Sequence, residues 1–173
     1  STFGLTILVD LTVAIEVGVV MAAFLFMRRM AEVTQVGFVS REVEEEEQAA
    51  DGSSVEPVHV IPPDTEVFEI NGPFFFGAAE RFKDSIRGLK RTPRVLILRM
   101  RHVPVIDATG IMALEDVWKK CQREGTVLIL SEVHPQPRAA IEKAGLLDKV
   151  GADNVAPSFE IALNRAWFVG SAK

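Results

Sequence analysis

The chain has 173 residues, enough for one domain of ordinary size plus an appendage. Its formal net charge of -5 leaves no broad basic surface to neutralise phosphates, which excludes a general nucleic-acid binder. The single cysteine, Cys121, excludes an internal disulfide framework and a cysteine-rich zinc site, and reads as a small hydrophobe buried on a helix.

Apolar residues make up 48% of the chain but are unevenly placed, with the first thirty positions far richer than the rest. Residues 3–27 form a nearly continuous apolar run broken only by Asp10 and Glu16. About 20 apolar residues suffice to cross a bilayer as a helix. A buried helix of a soluble protein is the competing reading, but the run exceeds what a domain of this size normally hides. Arg28 and Arg29 follow the run, whereas a secretory signal puts its positive residues first. The positive-inside rule then places the C-terminal side in the cytoplasm. Asp10, Ala14, Gly18 and Ala22 recur every four residues, a stripe of three small residues with a carboxylate at its far end. Such stripes let membrane helices approach closely. Glu16 lies on a different face. Acidic groups in a span are costly and face protein or water, so Asp10 and Glu16 expect partners outside this chain, in a structural hydrogen bond or a substrate role. A chain that begins at Ser1 and not Met is also expected to be a piece of something longer.

Residues 30–43 are mixed and could extend the helix out of the membrane. Glu42 and Glu44 to Glu47, followed by Gln48 and a Gly-Ser stretch, read as a solvated linker over residues 35–54. No spaced Asp/Asn/Gly loop accompanies the acidic run, as a calcium site would need. Residues 58–61 predict a short strand, Pro62-Pro63-Asp64-Thr65 a turn, and residues 66–71 a returning strand, together a hairpin. Phe75, Ala79, Phe82, Ile86 and Leu89 repeat at helical spacing, and core packing is favoured for part of the Phe74-Phe75-Phe76 cluster.

Val95-Leu96-Ile97-Leu98 is a bare apolar run, as expected of a strand covered on both faces. Asp107-Ala108-Thr109-Gly110 follows, with a helix expected from Ile111 that buries Leu114, Trp118 and Cys121 and closes at Gly125. Asp107 or Thr109 can cap that helix, since a side-chain oxygen there accepts a free N–H of the first turn. A hydroxyl held at the positive end of a helix has two readings: a cap alone, or a phosphate or partner site. A second apolar strand is predicted over residues 127–130, then a short helix over 138–144, cover from Leu146, Leu147 and Val150, an edge strand near residues 154–157, and a final helix capped by Ser158 with Ile161, Leu163, Ala166 and Trp167 among its packing positions. Strands alternating with helices after a hairpin predict an α/β mixed sheet with covering helices over residues 55–173.

The Asp107-Ala108-Thr109-Gly110 loop, between a buried strand and an amphipathic helix, resembles the signature loop of STAS domains, the anti-sigma factor antagonist fold found also as the cytoplasmic tail of SulP-type anion transporters. The order of elements over nearly all of residues 55–170 is similar to that fold. The segment from Asp10 to Val20, with Arg28-Arg29 after it, resembles the last membrane helix of bacterial SulP transporters. The resemblance implies the end of a secondary anion transporter of the sulfate, bicarbonate or dicarboxylate class: a last span and its extension (1–34), a linker (35–54) and a cytoplasmic regulatory domain (55–173). It implies an inner-membrane, multi-pass protein. Its expected partners are the remaining spans of the same transporter, a second copy, and a cytoplasmic regulatory protein at the Thr109 loop. The alternative it leaves open is a membrane-tethered, anti-sigma-antagonist-like module switched by phosphorylation of Thr109, since the family's phosphorylated hydroxyl sits immediately before the glycine. Ala108 departs from that pattern by offering no second hydroxyl.

His59, His102 and His134 are scattered, with no spacing that would bind a metal, and neither a Walker-type phosphate loop nor a Gly-x-Gly-x-x-Gly run occurs. No enzyme, metal or cofactor is therefore expected. A nucleotide-binding reading rests only on the helix N-terminus.

Overall fold

The structure, a computed structural model, describes residues 12–26, 35–38, 60–89 and 91–171. The chain divides into two compact units, Ser1–Val33 and Thr34–Lys173.

In the first unit, residues 12–26 form a helix, α1, and every one of them is exposed, including Val13, Ile15, Val17, Phe24 and Phe26. Ala14, Glu16, Gly18 and Ala22 lie on it, and a Cβ added at Gly18 would meet nothing within 4 Å. Asp10 and both ends of the expected span lie outside the described residues. Among the described residues no helix is long and apolar enough to cross a membrane.

The second unit is built on a five-stranded sheet in the order β1-β2-β3-β4-β5. These strands are β1 (Gln35–Phe38), β2 (Thr65–Asn71), β3 (Val95–His102), β4 (Val127–Ser131) and β5 (Val155–Ala156). β1 runs antiparallel to β2; β2 to β5 are parallel to one another. The antiparallel partner of β2 is thus Gln35–Phe38, within the expected linker, and not residues 58–61. Residues 60 and 61 are not strand; 58 and 59 lie outside the described residues. The physical reason is local. Pro62 and Pro63 lack N–H groups and cannot extend a ladder, and Ile61 is 7% exposed because it packs on Val67 and Val95 beneath one face of the sheet. The turn is where it was expected: the N–H of Thr65 donates to Pro62 O at 3.3 Å. Asp64 has φ 59, and its carbonyl accepts from the N–H groups of Arg94 and Val95.

The bare apolar runs at β3 and β4 are buried on both faces, as parallel strands flanked by crossovers must be. Leu96, Leu98 and Met100 of β3 face one core cluster with Phe68, Ile70, Leu128 and Leu130. Four helices close that side: α2 (Phe76–Arg87), α3 (Ala108–Glu124), α4 (Pro135–Lys143) and α5 (Leu146–Val150). Phe74 and Phe82 are fully buried and meet edge to face with ring centroids 5.6 Å apart, a pairing worth about 0.5–1.5 kcal/mol beyond its area. Phe76, the outer member of the triplet, is exposed. On the other face Val67, Val95, Ile97 and Ile129 pack under α6 (Phe159–Ser171) through Phe159, Ala162, Leu163 and Ala166. Ile161 and Trp167, expected as packing positions, are exposed. Ser158 caps α6 by accepting from the N–H of Ile161. Arg94 closes its other end, donating from Nη1 to Gly170 O at 2.9 Å and from Nη2 to Val169 O at 3.3 Å, where a cation also suits the negative pole of the helix. Cys121 is buried in the first cluster, as expected, and burial pushes its thiol up to about 11.

Candidate functional site

Parallel strands deliver their following loops to one end of the sheet, the end where ligands and partners meet open α/β sheets. Here the loops after β2 and β3 meet through backbone hydrogen bonds, and the loop after β4 joins them through its side chains. The N–H of Phe74 donates to Val105 O at 2.9 Å, and that of Asp107 to Phe74 O at 3.4 Å. Phe74 and Ile106 thus form an isolated parallel bridge that extends the β2–β3 pairing past the strands themselves.

Asp107 is the cap of α3. Its backbone is extended, and its Oδ1 accepts from the N–H of Gly110 at 2.8 Å. The helix begins at Ala108, three positions before the expected Ile111, so Thr109 is its second residue and not its cap. Of the two capping candidates the chemistry selects Asp107, whose carboxylate also suits the positive pole. Thr109 is partly exposed and Ala108 exposed. Their N–H groups fall among the first of the helix, which have no intrahelical acceptor. The turn therefore presents a threonine hydroxyl beside two N–H groups at the helix mouth.

Gly110 is required by space. A Cβ there would lie 2.5 Å from Phe74 O and 2.7 Å from Ile106 Cγ1. The Phe74 backbone thus runs directly against the first turn of α3, and the glycine lets loop and helix touch. From the other side Gln136, in the first turn of α4, grips the same loop. Its Oε1 accepts from the N–H of Ile106 at 3.0 Å and its Nε2 donates to Ile106 O at 3.3 Å.

Beside this platform lies a group of charges. Arg99, 6% exposed, donates from Nε to Glu132 Oε2 at 2.7 Å, and its guanidinium carbon stands 4.6 Å from the centre of the Phe159 ring. Glu132 has φ 56, in the left-handed region. His102 accepts at Nε2 from Arg101 Nε and lies 3.7 Å from Glu69 Oε1; His134 Nε2 meets Arg101 O. Among the described residues no three His, Cys, Asp or Glu side chains come together as metal ligands would.

Asp107, Thr109 and Gly110 are therefore brought together. Ala14, Glu16, Gly18 and Ala22 belong to the other unit, and Asp10 lies outside the described residues. Sequence reasoning missed Gln136, Glu132 and Arg99. Only Arg99 carried a signal: a cation inside an otherwise apolar strand needs a buried partner.

The family model for the STAS domain matches residues 56–162. The crystal structure of a sulfate transporter family protein from Wolinella succinogenes is similar, with 41% identity, 66% of this chain and 94% of that chain covered, and a TM-score of 0.64. The STAS domain of a SulP transporter from Vibrio cholerae is 32% identical, over 77% of this chain and 98% of that one, with a TM-score of 0.58. YvdB of Bacillus subtilis (strain 168), which carries a provisional sulfate-transporter name, is 28% identical over 154 residues, covering 87% of this chain. The chain spans about a quarter of that relative's length, 26%.

Proposed function

This chain belongs to the STAS domain family, homologous to the STAS domains of SulP sulfate transporters, and we propose that it is the C-terminal part of such a transporter. On this reading the whole protein is a secondary carrier of sulfate, bicarbonate or a dicarboxylate. It is a multi-pass protein of the inner membrane. Residues 1–34 supply its last span and the extension that leaves the membrane, and the unit that follows is a cytoplasmic regulatory domain with no catalytic role. The acidic stretch becomes a tether inside that domain, between β1 and β2.

One observation carries the reading. The likeness to YvdB covers 87% of the chain, more than residues 56–162 can supply, so it extends into the N-terminal part. Two features support it. The apolar side chains of α1 are all exposed, and so large an apolar surface suits lipid or neighbouring helices. Arg28 and Arg29 follow the apolar run and suit a cytoplasmic end. Asp10 and Glu16 are then intramembrane carboxylates that meet other spans of the transporter, and Ala14, Gly18 and Ala22 the stripe along which those spans pack.

The Thr109 loop is the domain's interaction site, offering a threonine hydroxyl and helix N–H groups on a fixed turn to a cytoplasmic protein or a second copy. Anion uptake by the full-length protein, with and without residues 35–173, tests the regulatory role. Changed uptake at equal surface abundance is expected; unchanged uptake and unchanged abundance refute it.

A further inference from the structure

Among the described residues Arg99 and Glu132 form the most deeply buried ion pair. Arg99 sits on β3, on the face covered by α6, level with Ser131 of β4. A guanidinium keeps its proton in a protein, so a buried one requires a counter-charge brought to it. That counter-charge comes from the first residue past β4. To deliver it, Glu132 adopts φ 56, a conformation that disfavours any residue with a Cβ. Glycine would take that φ freely but brings no carboxylate. The same residue's N–H donates to Ala156 O at 3.0 Å, tying the turn to β5 as well.

Glu132 opens the turn that leads into α4. Four residues on, Gln136 applies both ends of its amide to the backbone of Ile106, the residue immediately before the cap of α3. Phe74 bridges Ile106 as well, and the Ile106 side chain abuts Gly110 and is buried in the core cluster. These contacts hold the backbone immediately before the mouth of α3.

We infer that residues 132–136 are the positioning element of the Thr109 loop: the Arg99–Glu132 pair fixes the turn, and Gln136 passes that hold to Ile106. Glu132 and Gln136 are positioning residues, acting through Ile106 and Asp107 and touching no partner themselves. This deepens, and rests on, the reading of the Thr109 loop as the interaction site. It names what keeps that loop in shape for docking.

Amide hydrogen exchange on the full chain in detergent micelles tests it. The reporters are Ile106, whose N–H is held by Gln136, and Gly110, whose N–H is held by Asp107. The strand amides of Ile97 and Ile129 serve as the internal reference. Three variants are compared: Glu132→Gln, Gln136→Ala, and Arg99→Met combined with Glu132→Gln. The last removes both charges, so that no unpaired buried guanidinium is left to unfold the domain. Exchange at Ile106 and Gly110 is expected to rise roughly five- to thirtyfold in all three, relative to the strand amides. Combining Glu132→Gln with Gln136→Ala should add little, because both cut one linkage. Acceleration in Gln136→Ala alone overturns the proposal, since Gln136 then acts without the charge pair. So does equal acceleration at reporters and strand amides in the paired-charge variant, or none anywhere. Exchange and transport fail separately. A freed loop with unaltered uptake sinks the role given to Thr109 and leaves the positioning intact; unaltered exchange sinks the positioning alone.

Discussion

Replacing Gly110 by alanine tests whether the β2–α2 loop and the first turn of α3 touch as described. The added Cβ would lie 2.5 Å from Phe74 O, 2.7 Å from Ile106 Cγ1 and 2.9 Å from Phe74 Cδ1, and real Cβ atoms do not come under 3.0 Å. The nearest atom is backbone, and that backbone is pinned by its bridge to Ile106, so it cannot swing aside as a flexible side chain could. Overpacking of this kind costs about 1–3 kcal/mol, and the upper end applies because the nearest atom is backbone. Alanine's helix preference over glycine returns at most ~1 kcal/mol. A net loss of about 2 kcal/mol follows, a fall in Tm of roughly 6–10 °C for a domain of this size. Two further glycines calibrate the measurement. Gly125 has open space around its Cβ position but φ 71, so alanine there should cost about 1 kcal/mol from backbone strain alone. Gly170 has open space and no positive φ, so alanine there should be neutral or stabilise by up to ~1 kcal/mol. Thermal unfolding followed by far-UV circular dichroism should rank the Tm values Gly170→Ala, parent, Gly125→Ala, Gly110→Ala from high to low. If Gly110→Ala melts with the parent, the close approach is wrong, and the platform built on it goes too.

Asp107→Ala should lose about 1 kcal/mol in urea unfolding as the cap of α3 disappears, while Asp107→Asn stays within a few tenths, because an amide oxygen can still accept from Gly110. Glu115 has its carboxyl held below the ordinary carboxylate range, first by the hydrogen bond from Lys149 and then by the charge of Lys119. A depressed carboxylate pKa means that its contribution is present above the unfolded value and lost as pH falls through the folded one. In an NMR titration Lys149→Ala should therefore move the Glu115 midpoint up, and added salt should do the same to a lesser extent because the group is exposed. Cys121, buried and with its thiol pushed up to about 11, should react with a thiol reagent at neutral pH only as fast as the domain opens, and at once in denaturant. Fast labelling in the native state would contradict its placement in the core.

The sequence made the parallel part of the sheet legible because the physics there is local. Val95 to Leu98 and Val127 to Leu130 are uninterrupted apolar runs, and only a strand hidden on both faces calls for that. Glycines and capping residues marked the helix ends for the same reason: Gly125 stands in the left-handed conformation its place suggested, and Ser158 caps α6. β1 was illegible because nothing local requires it. Gln35-Val36-Gly37-Phe38 carries no turn signal beside β2, and its pairing crosses the whole acidic stretch, so the nearer residues 58–61 looked the better partner. Only the consequence of two adjacent prolines, a segment that covers the sheet without joining it, argued against them. At the site the loop Asp107-Ala108-Thr109-Gly110 announced itself, whereas Gln136 could not. Its role exists only once α4 begins at Pro135 and the loops after β3 and β4 lie side by side.

This division bears on how such a loop could carry a signal. Asp107 commits its Oδ1 to Gly110, Gly110 is locked against Phe74, and Ile106 is gripped by Gln136. A turn held at three points has little freedom left to lose on docking, so a partner meets it without the ordering cost that a mobile loop would impose. By the same token it is badly suited to respond by changing shape. What remains changeable is chemical: Thr109 carries the turn's one hydroxyl, and a phosphoryl group there would place nearly two negative charges at the positive pole of α3 without moving the backbone. Regulation through this loop would then act on partner choice through charge. Thr109→Glu, which adds an anion at the same place, should alter partner binding or uptake while leaving exchange at Ile106 and Gly110 as it was. Disordered loop amides in that variant would show that the turn is less rigid than its hydrogen bonds imply.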